Sequence, residues 1–220
     1  ANLLIVADQT SDWQQYFPSE QVVSVAQYLD RDWQTTQRNV QVVNLCRDYS
    51  YMSSGYYCSL MAEARRHRVI PTVTAINDIS QPLLMSSNFL KLSKLPSDLT
   101  TLSCKIYFGR TQQAGLEKLA RQLFEQFMIP IIELKMTKHQ TQWQIESVAA
   151  FPFQELEDQE ENFFKLDAKA IMSSSPKQIS ADSRLIEASD IMSEKKINSL
   201  LVVNKNSELC GIVQMYDLGI

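Results

Sequence analysis

The sequence predicts an α/β fold: an open, mostly parallel sheet with flanking helices and an edge hairpin, followed by a small α+β segment. Three observations carry this. Short apolar runs alternate with stretches of helical periodicity from the first residues onward. Two later runs alternate apolar and polar residues around a polar turn, as a hairpin does. Finally, a hydrophobic content of 45% over 220 residues supplies enough side chains to bury a core.

Leu3-Leu4-Ile5-Val6-Ala7 ends at Asp8, as a strand buried on both faces should. Ser19 is placed to cap a following helix in which Val22, Val25, Ala26 and Leu29 form one apolar stripe. Val40 to Leu45 reads as a second strand, Ser53 to Arg68 as a helix, and Val69-Ile70 before Pro71 as a third strand. A β-α-β-α-β opening implies parallel strands joined by right-handed crossovers. Ligands of such sheets collect beyond the carboxyl ends of the strands, which puts Asp8, Gln9, Thr10, Arg47, Asp48 and Tyr49 near any site.

Between Ile76 and Thr101 the pattern supports only short helices and loops. Lys105 to Phe108 reads as a strand, and Leu116, Leu119, Ala120, Leu123, Phe124 and Phe127 mark an amphipathic helix closed by Pro130. Ile131 to Met136 and Trp143 to Val148 form the hairpin expected at the sheet edge. Glu155, Glu157, Asp158, Glu160 and Glu161 then place five carboxylates within seven positions, which reads as a solvated helix face ending the first domain.

Several function classes are excluded by what these residues lack. A net charge of -4 and a pI near 5.3 provide no basic field for a phosphate backbone, so nucleic acid is not an expected partner. The longest apolar runs, Leu3 to Ala7 and Leu200 to Val203, fall short of the roughly 20 residues that cross a bilayer, so a membrane is not expected either. Cys46, Cys58, Cys104 and Cys210 form no C-x-x-C pair and read as reduced thiols of a cytoplasmic protein. His67, in Arg65-Arg66-His67-Arg68, is expected to face solvent at a helix end, and His139 to sit in a turn. Gly55, Gly109, Gly115, Gly211 and Gly219 build no phosphate-cradling loop. Neither a metal site nor a complete active site is expected within the chain.

The opening Asn2-Leu3-Leu4-Ile5-Val6, the segment Asn44-Leu45-Cys46-Arg47-Asp48-Tyr49-Ser50-Tyr51, and Gly55-Tyr56-Tyr57-Cys58-Ser59-Leu60-Met61-Ala62-Glu63-Ala64 resemble the N-terminal domain that precedes the ATP-grasp module in RimK-like ligases. The likeness runs over residues 1–165. It implies an ATP-dependent carboxylate-amine ligase, with nucleotide and magnesium held by the ATP-grasp module. That module is not recognisable here, so no catalytic or metal-binding residue carries over. What remains is a surface for docking a substrate, an ATP-grasp ligase or another enzyme partner through Asp8, Arg47, Asp48, Tyr49, Tyr51, Tyr56 and Tyr57. The alternative for the tyrosines is an aromatic core with tethered hydroxyls.

Residues 166–220 resemble a single CBS motif. The residues that carry this are Ala170-Ile171-Met172, Pro176, Ile179-Ser180, a helix from Asp182 to Lys195, Ile197-Asn198-Ser199-Leu200-Leu201-Val202-Val203, Leu209-Cys210-Gly211-Ile212-Val213 and Asp217-Leu218. Asp182 is expected to cap a helix with Leu185, Ala188 and Met192 on one stripe, and Asn204 to Ser207 to form a turn. The motif is most similar to the one closing arabinose 5-phosphate isomerases. The resemblance implies pairing with a second motif, hence a homodimer, and an adenosine nucleotide (AMP, ADP or ATP) near Ser199, Gln214 and Asp217. Gln214 stands where the family's G-x-x-[ST]-x-x-D pattern has a hydroxyl, and Asp217 reads either as the ribose-binding acid or as the cap of a last short helix.

The expected function is therefore a non-catalytic regulatory or interaction protein. The rival is part of an enzyme, a RimK-like ligase or an arabinose 5-phosphate isomerase, whose catalytic module is absent. Neither family leads one to expect the other as neighbour, so the junction near Phe164 to Ala168 is either a natural fusion or an artificial join.

Overall fold

The computed structural model describes residues 2–13, 21–30, 40–81, 89–92, 94–171, 178–195, 199–204 and 209–214. The chain divides into two compact units, Ala1–Ile171 and Met172–Ile220.

The first unit opens with a four-stranded parallel sheet built from β1 (Asn2–Ala7), β2 (Gln21–Ser24), β3 (Val40–Asn44) and β4 (Arg68–Ile70), in the order β2-β1-β3-β4. Leu4 to Ala7, Val42 and Val43 are buried, as their unbroken apolar character requires. The helix expected from Ser19 onward is different in form. Gln21 to Ser24 pair in register with Leu4 to Ala7, and only Val25–Leu29 (α1) is helical. The β-branched pair Val22-Val23 suits the ladder, and Ser24 then starts the helix through a reciprocal cap with Gln27. Ser19 lies outside the described residues.

Ser53 caps α2 (Ser54–Ala64) by accepting the Tyr56 N–H at 3.1 Å. The helix closes in a Schellman turn: Arg66 adopts φ 59°, Arg66 N–H returns to Glu63 O, and His67 N–H to Ala62 O. That turn corrects the expectation for His67, since it carries the ring inward rather than to solvent. His67 is buried, with Nδ1 hydrogen-bonded to the Tyr28 hydroxyl at 3.0 Å. Arg65 lies over the Tyr28 ring at 5.0 Å and donates to the Tyr28 carbonyl.

After α3 (Val73–Ser80), the chain builds a second sheet, which is antiparallel. Its strands are β5 (Phe89–Leu90), β6 (Thr101–Tyr107), β7 (Ile131–His139) and β8 (Gln142–Ala150), in the order β5-β8-β7-β6. The hairpin is present, but at the centre of this separate sheet and not at the edge of the parallel one. Its outer partner is β6, which pairs with β7 from Thr101↔Thr137 to Tyr107↔Ile131. His139 ends β7 opposite Gln142, at the entrance to the turn rather than within it. One face of the sheet is covered by α4 (Glu117–Phe127), which buries Ala120, Leu123 and Phe127 against Ile132, Leu134, Ile145 and Val148. Met128, at φ 49°, ends this helix before Pro130 is reached.

The two sheets are joined by aromatic rings. Phe164, on α5 (Asp158–Ile171), is fully buried and lies 5.3 Å from Phe153, 5.1 Å from Phe108 and 6.2 Å from Trp13. Residues 165 and 166, the junction read from sequence, fall within α5.

The second unit contains β9 (Gln178–Ser180), α6 (Leu185–Lys195), β10 (Ser199–Val203) and β11 (Leu209–Gln214). β10 pairs antiparallel with β11 and parallel with β9. Ile179, Ala188, Met192 and Leu200 form its core. Leu185, expected on the buried stripe, is 67% exposed, because the helix begins at that residue, three positions after Asp182, the expected cap. Most of the Asn204 to Ser207 turn lies outside the described residues.

Candidate functional site

Strand order locates the site. From β1 the chain proceeds to β2 on one side, and from β3 to β4 on the other, so the neighbours β1 and β3 flank a topological switch point. A crevice for ligands forms outside the carboxyl ends of two such strands. Asp8 follows β1 there, and Leu45 to Tyr49 follow β3.

The structure brings Asp8 and Arg47 together. Asp8 Oδ2 accepts the Arg47 backbone N–H at 2.7 Å, and the Ser54 hydroxyl donates to Asp8 Oδ1 at 3.4 Å. Asp48 folds back on its own loop: its carboxylate accepts the Ser50 hydroxyl and N–H at 2.7 and 2.8 Å, which holds its pKa below the usual range.

Beneath this loop sits a buried amide. Asn44 Nδ2 donates to Gly55 O at 2.7 Å and Ser59 Oγ at 2.9 Å, while Asn44 Oδ1 accepts the Cys46 N–H at 3.1 Å. Tyr49 donates its hydroxyl to Asn44 O at 2.5 Å. These bonds lock the 44–55 loop from below. The approach is close: a Cβ on Gly55 would stand 2.2 Å from Asp48 O.

The tyrosines divide between their two readings. Tyr49 is half-buried with a tethered hydroxyl. Tyr51 is 77% exposed and Tyr57 is 40% exposed, with Tyr56 between them in edge-to-face contacts at 5.3 and 6.1 Å. Met52 and Leu60 are exposed as well.

Two further residues beside this loop, Gln154 and Glu155, were not assigned to the site from sequence. Gln154, in the 3-10 turn Phe153–Glu155, donates Nε2 to Leu45 O at 2.8 Å and to Asp12 Oδ2 at 3.4 Å. Glu155 meets Arg47 at 3.0 Å. Only Glu155 carried a signal, as the first residue of the acidic run, and that run is not simply a solvated face. Glu160 reaches Lys105 at 2.7 Å, and Glu161 reaches the buried Lys165 at 2.5 Å. Burial opposes ionisation of Glu160, but Lys105 and the Glu157 N–H outweigh it and hold the carboxyl below its usual range.

In the second unit, β10 and β11 are registered so that Ser199 stands opposite Gln214. Two of the three proposed nucleotide contacts are thereby adjacent. Asp217 lies outside the described residues. Among the described residues, no group of three or more His, Cys, Asp or Glu is arranged to hold a metal ion, and no helix is long and apolar enough to cross a membrane.

A parallel sheet with a topological switch point, an antiparallel sheet beside it and a small α+β unit following define a two-unit α/β protein. Family comparison narrows this class. The RimK-like ATP-grasp N-terminal domain matches residues 25–167, and the CBS domain matches residues 168–218. The chain belongs to the RimK-like ATP-grasp N-terminal domain family and carries a CBS domain after it. Comparison with curated proteins finds no match.

Proposed function

We propose that the chain is a non-catalytic regulatory and interaction protein. Its first part, residues 1–165, docks a substrate or an enzyme partner, an ATP-grasp ligase among the candidates, at the carboxyl ends of β1 and β3. Its second part, residues 166–220, forms a homodimer and senses an adenosine nucleotide. The observation that carries the docking role is the convergence of Asp8 and Arg47 at the switch point, from opposite sides of 39 positions of chain. Nucleotide sensing is supported by the register of Ser199 opposite Gln214, which sets a hydroxyl-bearing residue beside the position where the family pattern has one. Exposed Leu185 and Ile186 support self-association. A cytoplasmic setting belongs to the same reading, with Cys46 and Cys58 held as buried thiols.

Calorimetry of the full chain with millimolar AMP, ADP, ATP and sugar phosphates tests the sensing role. Binding heat from an adenosine nucleotide is the expected result, and no heat from any of them removes nucleotide sensing from the proposal.

A second reading is favoured by the family match itself, since the family takes its description from a place N-terminal to an ATP-grasp module. In that reading the chain is a portion of a ligase, or, through its CBS domain, of an arabinose 5-phosphate isomerase, to which the family comparison itself does not extend. Turnover by a longer chain, read as ADP release or sugar-phosphate isomerisation, would favour it.

A further inference from the structure

We propose that Gln154 and Glu155 are a built-in occupant of the switch-point crevice, displaced when an anionic ligand group, a carboxylate or a phosphate, takes Arg47. The inference rests on the docking reading of this crevice.

Strand order reserves the space beyond β1 and β3 for a ligand, yet the chain's own turn at Phe153–Glu155 reaches into it. This turn is held unevenly. Phe153 is an anchor, buried with its ring 5.3 Å from both Trp13 and Phe164. The side chains of the next two residues are held by polar contacts. The Arg47 and Glu155 side chains are 56% and 52% exposed, so water already competes for their single 3.0 Å contact. Gln154 gives its Nε2 to Leu45 O and Asp12, but its Oε1 is buried without a hydrogen-bond partner. That orphan acceptor regains a partner as soon as the amide swings into water.

Departure of the amide hands the Leu45 carbonyl to water, while the carboxylates at the site keep their other donors. Asp8 keeps the Arg47 and Ser54 donors, and Asp12 keeps the Gln9 N–H at 3.1 Å. Both carboxylates repel an anion, which leaves the exposed Arg47 guanidinium as the group to hold it. Glu155 engages that guanidinium through one nitrogen only, whereas a free carboxylate or phosphate has the freedom to accept both branches of the fork. Anion binding and departure of the Gln154–Glu155 pair are thus one exchange at Arg47, with Phe153 as its fixed end.

The test uses the full chain, labelled with nitrogen-15, and two probes, inorganic phosphate and succinate, at constant ionic strength. Wild type is expected to show the Gln154 side-chain amide resonances moving to the positions of solvent-exposed glutamines as the effective probe is added. Arg47→Ala is expected to abolish that movement, and Glu155→Gln to bind the probe at least threefold more tightly. Whichever anion acts identifies the ligand group as phosphate or carboxylate. Binding that depends on Arg47 while the Gln154 resonances stay in place would overturn the displacement and leave the docking reading standing. If neither probe binds wild type or Glu155→Gln, this proposal fails together with the reading of the crevice as an anion-docking site.

Discussion

The carboxylate of Asp8 accepts the backbone N–H of Arg47 at 2.7 Å, although the two residues lie 39 positions apart in sequence. The bond ties the end of β1 to the end of β3 and fixes the mouth of the crevice. Asp8→Ala leaves that N–H without its acceptor and is expected to cost about 1 kcal/mol of stability. Urea unfolding checks this, with a lowered midpoint and an unchanged slope as the expected outcome.

Gly55 is a packing requirement of the same loop. Any side chain there places its first carbon against the Asp48 carbonyl, at 2.2 Å, and against Cys46 Cβ, at 2.9 Å. Gly55→Ala is therefore expected to destabilise by about 1–3 kcal/mol through overpacking, despite the better helix propensity of alanine. Thermal unfolding of the variant beside wild type measures it; a raised melting temperature would show that the loop yields easily.

The Tyr28–His67 pair makes stability depend on pH at both ends of the range. Burial, and then the Arg65 charge, push the His67 pKa below its ordinary 6.5. The unfolded chain therefore takes up this proton first, and the stability due to neutral His67 is lost as pH falls below 6.5 and through the folded-state value. Burial raises the Tyr28 pKa to about 12, so its contribution holds below pH 10 and is lost as pH rises through about 12. Urea unfolding of wild type and His67→Gln across pH 5 to 8 checks the acid side, where the variant is expected to show a flatter dependence.

How much of this was legible follows from which partners each residue meets. The strand before Asp8 and the helix on Leu116 to Phe127 were readable because their own periodicity decides which face is buried. Gln21–Ser24 was not, since its strand exists by pairing with β1 and the same valines also fit a helical stripe. His67 was misread because a Schellman turn on Arg66, a residue that does not favour positive φ, turns it inward. The hairpin was found but assigned to the wrong sheet, because strand pairing across sheets leaves no local mark. At the crevice, the carboxyl-end rule found Asp8 and Arg47, while Gln154 and Glu155 arrive from more than a hundred positions away and only the fold brings them there.

Leu185 and Ile186 stand 67% and 66% exposed at the start of α6, beside a small core. If this surface is part of a self-association face, Ile186→Asp is expected to raise the dimer dissociation constant at least tenfold while leaving the first unit's unfolding unchanged. Sedimentation equilibrium of both proteins over a hundredfold concentration range measures it.

The most direct test of the crevice as the docking site is a map of backbone amide shifts on the full chain as phosphate or succinate is added. The expected result is a single cluster of shifts at Asp8 to Asp12, Leu45 to Asp48 and Phe153 to Leu156, all of it lost in Arg47→Ala. Shifts that gather elsewhere, or that persist without the Arg47 guanidinium, would contradict it.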